Sequence, residues 1–411
     1  MQPQLEDHVV GAADLLPEVI EDLVLGTIRG VHAAVAARVF DVLPMSEVPQ
    51  AVHDRLAGMV YGICTAGLRG TGQVAGAVAR ATRSRRGPEL LDDSPRWRTT
   101  HAIINGLIGD ELTATDSPLA IRMAIRQGLH DVPLTADALA THFPDARGRV
   151  AVLVHGLMES DEAWRGGLAE HGSTYVEQLH RGGVTPVVLR YNSGRHISDN
   201  GIELSDMLEA LVDDWPVPVR ELLLVGHSMG GLVVRSAGES ARLRGMRWPA
   251  AVRNVVMLGS PHTGAPLARI VHSGAWLLNQ LPELAPFGDI LRRRSVGVRD
   301  LFHGYLRPED WADHDPDDWS APAPGDVAPI DGAAHHLVAA TLTSRRRHPV
   351  GHVLGDIMVR WDSATAQGRE WAREATVTHV GAADHFALLN HPEVSDLLQQ
   401  LITTDPDQQA G

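Results

Sequence analysis

Apolar residues in the first third of the chain recur mostly at the three- and four-residue spacing of an amphipathic helix. Within residues 17–43 the apolar positions of this pattern are Val19, Ile20, Leu23, Val24, Ile28, Val31, Val35 and Val39. A second stretch, residues 52–82, is rich in glycine, which favours close packing between helices, and a third covers residues 100–126. Because no strand-like run interrupts them, we predict an N-terminal helical region over residues 1–145.

The pattern changes at Arg149, where short apolar runs begin to alternate with helical stretches. Six runs have the length and composition of buried strands: residues 150–154, 184–191, 222–225, 254–258, 335–341 and 376–380. The helical stretches between and after them are residues 161–181, 201–215, 229–244 and 392–402. This alternation predicts an α/β fold with a mainly parallel sheet, helices on both faces and active groups at the carboxyl ends of the strands. We place this domain at residues 146–405.

One segment, ELLLVGHSMGGLVVR at residues 221–235, combines a strand, a sharp turn and a helix. Its centre is Gly-x-Ser-x-Gly, the pattern of a nucleophile elbow, with Ser228 at the corner. Gly226 and Gly230 leave space around a serine that is held in a strained conformation. Glycine is abundant, at 40 of 411 residues, so the bare pattern could occur by chance. The flanking strand and helix are the context that the motif requires.

Composition narrows the class of protein. With 36 basic and 51 acidic residues the net charge is −15, which argues against non-specific binding to nucleic acid and to anionic membranes. A lone cysteine, Cys64, excludes an intramolecular disulfide. The first ten residues, MQPQLEDHVV, do not resemble a signal peptide, and no apolar run reaches the roughly 18 residues of a membrane span. We therefore expect a cytoplasmic protein.

A serine nucleophile needs a histidine base, which in this chain order follows the last strand. His385 directly follows that strand and is our candidate among 22 histidines. His391 stands at the entrance of the next helix, where a structural role is expected, and His379 lies inside the strand.

The histidine in turn needs an acid that holds its tautomer, placed after the preceding strand. Asp356, in the apolar context Leu-Gly-Asp-Ile-Met-Val, fits that position, and Asp362 is the reserve. Asp384 ranks third, because the side chains of neighbouring residues at a strand end diverge.

Backbone N–H groups must bind the oxyanion of the tetrahedral intermediate. We assign this role to Met229, which follows the nucleophile, and to Leu157, which follows the first strand of the domain. Met158 and Trp164 are then expected near the acyl pocket.

Competing chemistries lack their motifs. The sequence has no Gly-x-Gly-x-x-Gly after the first strand, no P-loop lysine, and no zinc pattern of cysteines or of His-Glu-x-x-His. His335 and His336 are adjacent on a strand and point to opposite faces, so they cannot chelate one metal together. We therefore expect no metal at the site.

Four ordered pieces, HGLM, GHSMGG, GDIMV and DHFALLNHP, resemble the α/β-hydrolase superfamily over about residues 148–405. RYNSGRHISDNG at residues 190–201 and GSPHTGAPL at residues 259–267 look like the lipase and esterase branch that includes PGAP-type, inositol-deacylase-like hydrolases. The resemblance implies hydrolysis of carboxylic esters by a Ser-Asp-His triad without a cofactor. The membrane spans of eukaryotic inositol deacylases are absent from this sequence.

The leading hypothesis is therefore a soluble serine esterase or lipase, acting on a small-molecule or lipid ester and binding no nucleic acid. An amide, thioester or lactone hydrolase with the same triad is the alternative within enzymes. A non-catalytic scaffold with this fold is a third hypothesis, against which the complete candidate triad argues. A membrane-peripheral lipase is the fourth. The sequence leaves the acyl length and the oligomeric state open.

Residues 262–334 form an insertion too long for a simple connection between two strands. It contains an apolar segment over residues 276–290 and an acidic, aromatic one over residues 309–319. Two interpretations stay open: a lid over the carboxyl ends of the strands, or an additional packed helix without a gating role.

If the apolar segment is a lid, replacing Leu277 and Leu281 by Ser will weaken turnover of long acyl esters but spare acetate esters. Each buried CH₂ is worth about 0.8 kcal/mol, so kcat/KM for a decanoate ester should fall by roughly one to two decades. The measurement is kcat/KM for both esters, with melting temperatures alongside. An unchanged decanoate-to-acetate ratio would show that the segment is packed structure only.

Overall fold

The computed structural model describes residues 95–117, 119–264, 295–312, 324–346, 348, 351 and 355–403. The chain divides into two units, Met1–Ile104 and Asn105–Gly411, and the first is described only for residues 95–104. The helices predicted within residues 17–43 and 52–82 lie outside the described residues. So does the apolar segment 276–290 of the insertion, so the two interpretations of that segment stay as they were.

Within the described residues, one eight-stranded sheet organises the second unit. Its strands, in chain order, are β1 (Ala124–Gln127), β2 (His130–Val132), β3 (Arg149–Val154), β4 (Thr185–Arg190), β5 (Glu221–His227), β6 (Val252–Leu258), β7 (Ala334–Thr341) and β8 (Thr376–Gly381). They are ordered β2-β1-β4-β3-β5-β6-β7-β8 across the sheet. Strands β3 to β8 run parallel, while β1 is antiparallel to both of its neighbours.

Helices connect the strands of this sheet. The described α-helices are α1 (Pro95–Ala114), α2 (Ala136–His142), α3 (Leu168–His171), α4 (Tyr175–Arg181), α5 (Ile197–Asp214), α6 (Met229–Arg244), α7 (Val296–His303), α8 (Pro308–Trp311), α9 (Trp361–Ala364) and α10 (Pro392–Thr403). Short 3₁₀ turns cover Asp161–Arg165, Trp248–Ala251, Trp371–Arg373 and Phe386–Leu388. Among these helices, none has the length and apolar character needed to cross a bilayer.

Two apolar clusters, one on each face of the sheet, form most of the core. Alternate residues of β3 and β5 are divided between them: Val152 and Leu224 belong to the first cluster, and Leu153 and Val225 to the second. Helices α5 and α6 contribute to the first, while α4 and α10 contribute to the second. Because both faces are covered, the central strands read as unbroken apolar runs. The described part of the second unit thus has the α/β fold with a mainly parallel sheet and helices on both faces that the strand and helix alternation predicts.

The expectation that no strand precedes Arg149 is wrong. Strands β1 and β2 form a hairpin whose two-residue turn is Gly128-Leu129, with Gly128 at φ 61°. These strands have four and three residues, which is too short for an apolar alternation to stand out in the sequence. The predicted helix over residues 100–126 therefore ends at Ala114.

The helical stretch predicted over residues 161–181 is interrupted, because three short helical pieces occupy it. Gly167 and Gly172 adopt left-handed φ angles of 68° and 76° at the two breaks. Thr174 then starts α4 with a capping box in which Glu177 is the partner.

Residues 295–312, in the second half of the predicted insertion, are attached to the core of this unit. The hydroxyl of Ser295 donates to the carbonyl of Gly106 at 2.6 Å. Asp300, on α7, accepts the N–H of Ile197 at the start of α5 at 2.9 Å. On α8, Trp311 stacks on His196 with ring centroids 3.7 Å apart. A lid role for residues 295–312 would therefore require these contacts to break.

The close approach of α6 to the sheet predicts a sharp difference between two glycines of that helix. A Cβ at Gly230 would overlap the backbone carbonyl of Val154, whereas one at Gly238 would meet only side-chain atoms of Ile330. Gly230→Ala should therefore lower the free energy of unfolding by about 1–3 kcal/mol. Gly238→Ala should change it by less than about 1 kcal/mol, since Ile330 can shift and helix propensity improves. Urea unfolding of both variants is the measurement, and equal effects would contradict the prediction.

Candidate active site

Ser228 lies at a strained turn between β5 and α6. Its φ and ψ angles are 52° and −122°, a conformation that a residue with a side chain rarely adopts. Its N–H donates to the carbonyl of Leu258 at 2.8 Å, which ties the turn to the end of β6. A Cβ at Gly226 would overlap the backbone of Gly231, so both glycines of the motif are sterically required. The hydroxyl of Ser228 makes no capping hydrogen bond to α6, the helix that follows it.

His385 and Asp356 form a buried hydrogen-bonded pair. Nδ1 of His385 lies 2.7 Å from Oδ2 of Asp356, and the two side chains are 2% and 1% exposed. The backbone joins them a second time, since the N–H of His385 donates to the carbonyl of Asp356 at 3.1 Å. The other carboxylate oxygen of Asp356 accepts the N–H groups of Met358 and Val359 at 3.0 and 2.7 Å. The carboxylate is therefore held by its own loop and aimed at the imidazole.

The second ring nitrogen of His385, Nε2, is not used by the pair with Asp356. Nε2 of His385 is buried, and within the described residues it has no hydrogen-bond partner. A buried nitrogen without a partner is rare and calls for a functional reason. Burial lowers the pKa of His385, but the charge and hydrogen bond of Asp356 outweigh it and hold the pKa above its ordinary value.

His385 lies against the residues that surround the elbow. A Cβ at Gly259, directly after β6, would come within 3.0 Å of Cε1 of His385, so glycine leaves room there for the imidazole. The ring of His227, the residue before Ser228, lies 4.9 Å from the ring of His385. Ser228, His385 and Asp356 thus lie on the segments that follow β5, β8 and β7, at the carboxyl end of the sheet.

The reserve candidates have other contacts. The carboxylate of Asp384 accepts the N–H groups of Phe386 and Ala387 at 3.1 and 3.0 Å. Asp362 lies in α9, exposed, and is not the partner of His385. His379 pairs with Thr341 at 2.8 Å, and Nδ1 of His391 accepts the N–H of Glu393 at the start of α10 at 3.3 Å.

The loop after β3, residues 155–159, leaves one of its peptide N–H groups unbonded next to the elbow. The N–H of Gly156 donates to Glu159, that of Met158 to Ser193, and that of Glu159 to the carbonyl of Gly156. Among the described residues, no hydrogen bond uses the N–H of Leu157. The same holds for Met229, the first residue of α6. These are the two N–H groups that the motif predicts as oxyanion donors.

Two stacked rings, those of His155 and Tyr191, lie at the start of this loop. The rings of His155 and Tyr191 lie 4.3 Å apart and nearly parallel, and the hydroxyl of Tyr191 donates to the carbonyl of His155 at 2.8 Å. Burial lowers the pKa of His155, and Nε2 of the ring accepts the N–H of Tyr191 at 3.3 Å. Nδ1 of that ring lies 2.9 Å from the carbonyl of Gly156, so Nδ1 carries the proton and donates.

The two residues expected near an acyl pocket are differently placed. Met158 is half-buried in the loop, with a left-handed φ of 59°. Trp164 is only 1% exposed and belongs to the apolar cluster that also contains Tyr175 and Leu388. The pocket assignment of both residues stays a prediction.

Sequence reasoning missed three residues that contact the site: Glu159, His227 and Ser193. His227 lies within the elbow motif, and Ser193 within the segment 190–201 that resembles lipases. Their positions could have suggested a role, but their partners come from distant parts of the chain. Glu159 and His227 are 68 positions apart, and Met158 and Ser193 are 35 apart.

Comparison with protein-family models gives a match over part of the chain. The model of a domain of unknown function, DUF7379, matches residues 121–289. None of the curated proteins matches the chain.

Solved structures similar to this chain include a lipase, an esterase and a thioesterase. The mature lipase BlEst2 of Bacillus licheniformis is 22% identical, with a TM-score of 0.41, over 62% of this chain and 91% of that one. The Pyrococcus furiosus esterase Pf2001 is 13% identical, with a TM-score of 0.36, over 62% and 81%. YbtT, a type II thioesterase from the yersiniabactin biosynthetic pathway, is 19% identical, with a TM-score of 0.37, over 64% and 96%. At such low scores the function has to be inferred from the geometry of the site.

The Asp356–His385 pair predicts a titration difference between two aspartate variants. Asp356→Asn removes the charge that raises the pKa of His385 while burial still lowers it, so this pKa should fall below its value in the unchanged protein. Asp362→Asn, the matched control, should leave it unaltered. NMR titration of the His385 ring protons is the measurement. A fall caused by the Asp362 change instead would move the acid to that residue.

Proposed function

We propose that this protein is a serine hydrolase that cleaves carboxylic esters through a Ser228–His385–Asp356 triad. The observation that carries the proposal is the buried Asp356–His385 pair, whose imidazole keeps Nε2 without a partner beside the strained serine turn. A base nitrogen held in this way is suited to take a proton from a serine hydroxyl.

The first half of the reaction acylates the serine. As the Oγ of Ser228 attacks the acyl carbon, its proton passes to Nε2 of His385, which then donates it to the leaving alcohol. Throughout, the carboxylate of Asp356 accepts a hydrogen bond from the Nδ1–H group of His385, which fixes the tautomer and stabilises the imidazolium. The raised pKa of His385 favours that transient positive charge. In the second half, a water molecule takes the place of the alcohol and releases the acid.

The oxyanion forms beside two backbone donors. The unbonded N–H groups of Leu157 and Met229 lie on the two loops that flank the serine, one after β3 and one at the first turn of α6. The N-terminus of α6 adds its dipole, which favours negative charge at this point. Losing one such donor typically lowers kcat by about 10²–10³. We assign both groups to stabilisation of the tetrahedral intermediate.

The same machinery could hydrolyse a thioester or an amide, so the bond type needs a direct comparison. The experiment measures kcat/KM for p-nitrophenyl esters of increasing acyl length. It then measures kcat/KM for a thioester that carries the acyl group of the ester with the highest value. A higher kcat/KM for the oxygen ester supports the proposal, and a preference for the thioester would reassign the substrate class.

Ser228→Ala should remove about 10³-fold or more of the esterase activity, since triad residues act as a unit. Covalent labelling by a fluorophosphonate probe should disappear with it. Ser240→Ala, on the same helix α6, is the matched control, because its buried hydroxyl has no hydrogen-bond partner in the described residues. That variant should label and turn over esters like the unchanged protein. Persistent labelling of the Ser228 variant would disprove the nucleophile.

A further inference from the structure

A second carboxylate lies beside the triad and has no part in the reaction just described. Oε2 of Glu159 accepts the N–H of Gly156 at 2.6 Å. Its other oxygen, Oε1, lies 2.9 Å from Nδ1 of His227, and the two side chains are 10% and 0% exposed. A carboxylate in such surroundings is stable only if its charge is paired and its oxygens are hydrogen-bonded, and both conditions are met here.

The partner of this carboxylate is a histidine between two oxygen acceptors. Nδ1 of His227 faces Glu159, and Nε2 lies 3.3 Å from the carbonyl oxygen of His385. Both ring nitrogens of His227 therefore lie within hydrogen-bond distance of an oxygen atom, so the ring bridges Glu159 and the backbone of His385. Burial raises the pKa of Glu159, but the charge and hydrogen bond of His227 and the N–H of Gly156 outweigh it and leave that pKa below its ordinary value.

The Glu159–His227 pair connects the two loops that carry the oxyanion donors. Gly156 directly precedes Leu157 on the loop after β3, while His227 lies two residues before Met229 on the elbow. Every other N–H group of residues 156–159 is engaged, so the hydrogen bonds that shape this loop leave Leu157 alone to face a ligand. One carboxylate therefore holds both loops at once.

We propose that Glu159 is a positioning residue that, through its contacts with Gly156 and His227, sets the distance between the Leu157 and Met229 N–H groups. This inference rests on the proposed hydrolase function. The physical reason is that donors stabilise an oxyanion only where they already point at its position before the reaction. A link between the two loops keeps both donors in place as negative charge develops.

Two variants separate the position of the Glu159 side chain from its charge. Glu159→Ala removes both contacts and the charge. Glu159→Gln keeps an oxygen for the Gly156 N–H and an amide that can donate to Nδ1 of His227, but it loses the charge. Glu162→Gln is the matched control, because Glu162 lies three residues further on, 3.8 Å from Arg165.

The readouts are kcat, KM and the affinity for a trifluoromethyl ketone that carries the acyl chain of the best ester. Ser228 adds to this ketone, its proton passes to His385, and the carbonyl oxygen becomes an oxyanion between the two donors. Glu159→Ala should lower kcat and inhibitor affinity by the same factor, about 10–100-fold, because a donor is displaced rather than lost. KM should stay within about threefold, since the ground state is bound as before. Glu159→Gln should recover most of both losses, and Glu162→Gln should behave like the unchanged protein.

The pH profile gives a separate readout for the charge. The charge of Glu159 helps to raise the pKa of His385, and the reaction needs His385 unprotonated at the start. Both Glu159 variants should therefore shift the acidic limb of kcat/KM towards lower pH. A role limited to folding would lower the melting temperature without moving this limb.

Unchanged kcat and inhibitor affinity in Glu159→Ala would overturn the positioning role, and so would a Gln variant that is as impaired as the Ala variant. If Glu159→Ala does not fold, the variants His227→Ala and His227→Asn replace it. His227→Ala should then be impaired like Glu159→Ala, and His227→Asn should recover most of the loss, since Asn retains an amide donor for Glu159. An unchanged protein that neither labels at Ser228 nor hydrolyses esters would refute the proposed function itself, and with it this role. Fluorophosphonate labelling before the kinetics therefore distinguishes the two failures.

Discussion

The close approach of helix α6 to strands β3 and β5 is the constraint on which the site depends. Gly226 and Gly230 face backbone atoms so near that no side chain fits at either position. This contact forces the chain between them into a tight turn and holds Ser228 at a positive φ. The large apolar cores on both faces of the sheet supply the stability that holds such a strained turn in place.

Around this turn, the protein buries ionisable groups in pairs. Asp356 faces His385, and Glu159 faces His227, with each pair joined by a hydrogen bond of 3.0 Å or less. Burying a lone charge would be costly, whereas a charge that is paired and fully hydrogen-bonded avoids most of that penalty. Because these side chains are buried, each pair acts more strongly on the groups beside it than an exposed pair would.

Contacts from outside the sheet hold the loop after β3 in place. Ser193, after β4, holds the loop after β3 through Met158, and Tyr191 stacks on His155 at the base of the same loop. Residues 295–312 bind to the start of α5, which follows Ser193 and its neighbours. Contacts from several elements therefore converge on the loop that carries Leu157.

Local patterns in the sequence determined the parallel sheet, helix α6 to its last residue, and the three triad candidates. Buried parallel strands are continuous apolar runs, and the elbow at Ser228 requires glycines at fixed spacing. Both features can therefore be recognised from residues that are close together in the sequence. Chain order then selected His385 and Asp356, a choice that their 2.7 Å contact supports. Only the tertiary structure decided the short strands β1 and β2 and the link between Glu159 and His227. The two strands are stabilised by pairing with each other and with β4, and the link joins residues that are 68 positions apart. Neither feature can therefore be predicted from one local segment of the sequence.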